Sequence, residues 1–149
     1  RGRGVKQDAL HVGHAAAHRI YAEWFTLRDL LRPTLDDRAI WLFSKAIAET
    51  MRAEIPVTFF RRALIDSGLD PDAIEPSPDE ALLMSFGTAL AADANAVADE
   101  TWAALKARYD ETLLVNLVAF AGIMVATCVF TNGVKVDLDP ELEGYRRNA

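Results

Sequence analysis

The chain of 149 residues has little of what usually marks a reaction. There is one cysteine, Cys128, so no disulfide can close within the chain. That usage fits a reducing compartment, and a zinc-type cysteine spacing is missing for the same reason. No Gly-rich phosphate loop and no Ser-His-Asp order is present. No internal repeat, heptad run or low-complexity segment appears. Basic residues are outnumbered, 16 against 22 acidic, and the net charge of −6 argues against a nucleic-acid partner. The first residues are Arg, Gly and Lys with no apolar run behind them, so no signal peptide is visible. The expected location is the cytoplasm.

Apolar residues are plentiful, at 51%, and Ala and Leu dominate. That favours helices packed on helices. The length fits a single domain, 1–149, able to bury about two-thirds of its unfolded surface. Charge is lopsided. Arg1 to Ser67 carries eleven basic and eight acidic residues, whereas Gly68 to Ala149 carries five and fourteen. Two differently solvated faces would explain this, as would a positive rim that steers a small anion.

Along the chain, Asp8 to Leu31 has apolar residues Ile20, Trp24, Leu27 and Leu31 at helical spacing. Arg32-Pro33 ends that helix. Thr34 with Asp37 offers a capping pair for a second helix reaching about Met51. Pro56 suits the first turn of a third helix, and Gly68 its end. Ser77-Pro78-Asp79-Glu80 is a strong start for a fourth. Asp99 should cap a short helix through Tyr109. Asp110 should cap a long one, ended by Asn132-Gly133. Leu113 to Phe130 is 18 residues without a charge, long enough to span a membrane. Asn116, Gly122, Thr127 and Cys128 interrupt it and no basic cluster flanks it. It therefore reads as a fully buried core helix, with no membrane partner. Val134 to Leu138 alternates as a short extended tail. The expected fold is all-α, a bundle of about six helices.

The segment AEIPVTFFRRALIDSGL, Ala53 to Leu69, has a break, a short helix and a glycine stop. An acidic, proline-containing link follows. Then come helices opening at Asp79-Glu80-Ala81-Leu82-Leu83, Asp99-Glu100-Thr101-Trp102 and Asp110-Glu111-Thr112-Leu113. In order and spacing, residues 35–142 resemble the carboxymuconolactone decarboxylase and alkylhydroperoxidase-D (AhpD-like) family. The resemblance implies an AhpD-like helical bundle assembled as a homotrimer or homohexamer. It also locates a departure. The family's Cys-x-x-Cys-x-x-x-His falls on Ala53, Pro56 and Phe60, and its relay glutamate falls on Trp41. Thiol peroxidase chemistry needs a thiolate and a second thiol to resolve it, and neither is in that segment. Cys128, in the middle of an apolar helix, reads as packing. If Trp41, Ala53, Pro56 and Phe60 line the old pocket, it is either filled or apolar.

Other residues with chemistry are few. His11, His14 and His18 share one helix face. A pair of them could chelate a metal, or one could act as a base near neutral pH. All three are spread over about 10 Å, too far for one ion. Lys45 and Glu49 lie one and two turns beyond Trp41, as an exposed pair or as groups binding a carboxylate and moving a proton. Arg52 and Glu54 beside the break have the same two readings. Arg61-Arg62 should face solvent or a subunit boundary, with binding of a substrate anion as the second reading. The expected function is a divergent decarboxylase-like enzyme acting on a small organic molecule by proton transfer or carbon–carbon lysis. Its candidate catalytic residues are His14, His18, Lys45 and Glu49, with no cofactor. The competing expectations are a non-catalytic oligomeric ligand-binding protein and a metal-dependent enzyme using the histidine helix.

Overall fold

The computed structural model describes residues 15–147, with side chains from Glu23 onward. Six α-helices lie among the described residues: α1 Ala15–Leu31, α2 Asp37–Thr50, α3 Glu54–Asp66, α4 Pro78–Asp93, α5 Asp99–Lys106 and α6 Glu111–Val134. Two short 3-10 turns, Ala94–Ala96 and Pro140–Tyr145, complete them, and the described residues form no strand. The all-helical expectation holds.

Helix α2 is the centre. It packs on α3, α4 and α6, while α1 lies along α6. Its residues Ile40, Phe43 and Ile47 are fully buried, at the spacing that puts them on one stripe. Phe43 stacks between Phe86 of α4 and Phe120 of α6, at 6.3 and 6.2 Å between ring centres. The close approach of α4 needs Gly87. A Cβ there would lie 3.0 Å from the Phe43 ring and 3.1 Å from Ile47.

Side chains on the polar edges fix the helix starts. Ser77 Oγ accepts from Glu80 N, and Glu80 Oε2 accepts from Ser77 N at 2.7 Å, closing the capping box read from the sequence. Asp110 Oδ1 accepts from Leu113 N at 2.8 Å. Gly68 takes the left-handed conformation, φ 83°, just past α3.

Four local expectations are corrected. Asp36, not Thr34, caps α2 by accepting from Ala39 N. Asp37 instead accepts from Nε and Nη2 of Arg32, each at 2.8 Å. Helix α5 starts from Ala98 without a side-chain cap and ends at Lys106 rather than Tyr109. Helix α6 passes through Asn132-Gly133 and stops where Lys135 turns left-handed, φ 51°. It is also not fully buried. It is long and apolar enough to cross a membrane by length and composition, but only 39% of its most apolar window is covered. One face buries Leu113, Leu117, Phe120, Met124 and Cys128, whereas Val115, Val118 and Val129 are exposed. Apolar residues at nearly every position conceal which face is inside, because the sequence pattern carries no contrast.

Candidate functional site

Two clefts flank the first two turns of α3. Residues 55, 56, 59 and 60 point to one, and 54, 57 and 58 to the other, as a rotation of about 100° per residue requires.

The first cleft is apolar and holds about 230 Å³. Trp24 and Phe25 reach it from α1, Ile55, Pro56, Phe59 and Phe60 from α3, and Met124, Thr127 and Thr131 from α6. The aromatic wall is built edge to face. Phe59 meets Phe60 at 5.2 Å and Phe25 meets Trp24 at 4.9 Å, the arrangement that ring quadrupoles favour. Trp24 leans on Phe60 at 6.2 Å, and its Nε1 donates to Met124 Sδ at 2.9 Å. The two threonine hydroxyls donate back to the helix, Thr127 to Ile123 O and Thr131 to Thr127 O. Their lone pairs are left as the polar feature of the lining. Among the described residues, no titratable side chain lines this cleft.

The second cleft is polar, about 390 Å³, and is lined by Glu49, Arg52, Glu54, Val57, Thr58, Arg146 and Arg147. The C-terminal turn forms its far wall, and Arg61 holds that turn in place. Only 5% of Arg61 is exposed. It donates to both carboxylate oxygens of Asp72, at 2.7 and 2.8 Å, and to Tyr145 O at 3.0 Å. These bonds hold the Asp72 carboxyl below the usual carboxylate range and raise the Arg61 guanidinium. Glu49 adds to the field on Arg61, and Lys45 to that on Asp72. Tyr145 adds a bond from its hydroxyl to Asp66 at 3.0 Å. The expectation that Arg61 faces solvent is therefore overturned, because its guanidinium is held by three acceptors, both Asp72 oxygens and Tyr145 O.

The candidate residues are dispersed. His11 and His14 lie outside the described residues, and His18 is described only as part of the α1 backbone. Lys45 and Glu49 pair with each other at 2.8 Å. Glu49 reaches the polar cleft, not the apolar one. Pro56 and Phe60 do share the apolar cleft. Trp41 and Ala53, expected beside them, do not line it. Trp41 lies half-buried against the main core, and Ala53 is completely enclosed with Ala48 and Cys128. Burial pushes the Cys128 thiol up to about 11, so it is a protonated packing group at neutral pH. Among the described residues, no group of three His, Cys, Asp or Glu could hold a metal ion. Sequence reasoning missed Phe25, Phe59 and Met124 as cleft residues. For the two phenylalanines the crowding of aromatics in the first half was the available signal, whereas Met124 lies in an apolar run without contrast.

Compared with known proteins, the chain matches no family model, no curated protein and no solved structure.

Proposed function

We propose that the protein is a divergent AhpD-like protein that binds a small neutral aromatic or aliphatic molecule in the apolar cleft, without acting on it there. The observation that carries this is the lining itself: aromatic and aliphatic walls with no acid, base or nucleophile among the described residues. About 230 Å³ exceeds the roughly 150 Å³ of an engineered cavity that takes up benzene. One substituted ring or a short chain would fill it. The threonine oxygens can accept a hydrogen bond and have already used their own protons. A phenol is thus favoured over toluene, and toluene over benzoate, whose charge would be stranded. Thermal shift with these three compounds, repeated on Phe60→Ala, tests the reading. Stabilisation in that order, altered by Phe60→Ala, is expected. No response to phenol or toluene would remove it.

The enzymatic reading, proton transfer or carbon–carbon lysis using His14, His18, Lys45 or Glu49, has one supporting observation. Glu49 stands at the polar cleft among arginines. Single alanine variants at the four positions, each leaving a measured turnover intact, would dismiss it. The same resemblance implies a homotrimer or homohexamer, and the uncovered valines of α6 support such an interface.

A further inference from the structure

The polar cleft is unbalanced in charge. Three arginines face two glutamates across it, and both glutamates are already engaged. Glu49 accepts from Lys45 at 2.8 Å, and Glu54 lies 3.0 Å from Arg146. Arg146 is further occupied by Glu143 at 3.3 Å. Arg147 lies 3.6 Å from Asp72, but Arg61 already spans both oxygens of that carboxylate. Arg52 has no ion pair or hydrogen bond from its side chain among the described residues.

Two further observations point to a ligand. Arg52 sits at φ 53°, just past the end of α2. That is a position where glycine is the usual residue and a side chain is strained, yet the chain carries its unpaired guanidinium there. Thr58 lines the same cleft and is only 2% exposed. Its hydroxyl makes no hydrogen bond among the described residues, whereas Ser44, Thr50, Thr127 and Thr131 each donate to a carbonyl one turn back. The Thr58 hydroxyl is not among the buried unpartnered atoms of the described residues, so it opens onto the cleft with its hydrogen-bonding capacity unused by the protein.

We infer that this cleft is a binding site for a small monocarboxylate, held by the guanidinium of Arg52 and the hydroxyl of Thr58, with Arg147 at the rim. The planar fork of arginine suits a carboxylate. One surplus positive charge on the lining suits a monoanion better than a phosphate dianion, which the two glutamates would repel. The site is separate from the apolar cleft, on the opposite side of α3, and does not depend on the function proposed for that cleft.

Titration of the full chain with butyrate and, separately, inorganic phosphate, followed by amide NMR shifts, tests this. Saturable shifts at Arg52, Thr58 and Arg147 with butyrate are expected. Arg52→Gln should weaken them about tenfold, the loss of one charge-assisted group. Arg52→Gly should weaken them equally while melting no lower than wild type, because it relieves the backbone strain. Thr58→Val should weaken them less. The proposal is overturned if butyrate gives no saturable shift, if phosphate saturates the cleft and butyrate does not, or if Arg52→Gly binds butyrate as wild type does.

Discussion

Arg61 shows how one side chain can tie three parts of a chain together. Its guanidinium bonds the α3 helix to Asp72 in the connecting loop and to the carbonyl of Tyr145 in the C-terminal turn. Replacing it with alanine leaves that carbonyl without its donor and Asp72 without its partner. The expected cost is about 2–3 kcal/mol, measured by urea unfolding. Asp72→Asn should cost less, about 0.5–1 kcal/mol, because that carboxylate is 45% exposed and water screens the pair. The two variants also differ in acid. The Asp72 carboxyl titrates below its unfolded value because Arg61 donates to it. Its stabilisation is therefore complete above the ordinary carboxylate range and is lost as pH falls through the depressed value. Asp37 beside Arg32 behaves alike. The urea midpoint of the wild type should fall on acidification. That of Asp72→Asn should fall less steeply, since asparagine has no proton to take up. Parallel curves would show that the pair contributes nothing through ionisation.

Among the elements, the α2–α4 contact depends most on one small residue. Replacing Gly87 with alanine would ordinarily help a helix, by about 1 kcal/mol. Here the added methyl would meet the Phe43 ring at 3.0 Å, and that ring cannot retreat because Phe86 and Phe120 stack on either side of it. Overpacking of this kind costs about 1–3 kcal/mol. Gly87→Ala should therefore lower the unfolding free energy, and a rise on denaturant titration would show that the helices have room to part. This contact was not legible in the sequence, where Gly87 is an unremarked residue in an alanine- and leucine-rich stretch. Starts such as Ser77-Pro78-Asp79-Glu80 were legible because their chemistry is local. The end of α6 was not. The chain passes a plausible Asn132-Gly133 stop and turns at Lys135, where Asn132 Nδ2 donates across to Met51 O at 3.1 Å. Tertiary contact overrode the local signal there.

At the level of the whole molecule, the all-helical character and the order of the described helices could be read from periodicity and caps, while the site could not. Pro56 and Phe60 meet in one cleft because they are four apart on α3. Trp41 misses it because that depends on how α2 rotates against α6, and Ala53, the residue before α3, misses it because it is enclosed against Ala48 and Cys128; no short-range pattern encodes either contact. The same limit applies to α6 itself. A run that is apolar on every side is compatible with burial, with a membrane or with a partner, and only the fold distinguishes its faces. The outer face, Val115, Val118 and Val129, stays uncovered by the described residues, and side chains of that kind gain about 1.5–3 kcal/mol each on full burial. A homotrimer or homohexamer that used this face would hide it. Light scattering should then give an integral multiple of the chain mass. A double change, Val115→Glu with Val118→Glu, should reduce it to a single chain with helical circular dichroism unchanged, because both side chains are exposed on the single chain. A wild-type protein that is monomeric at every concentration would defeat the trimer and hexamer alike. A variant that keeps its assembly would move the interface away from α6.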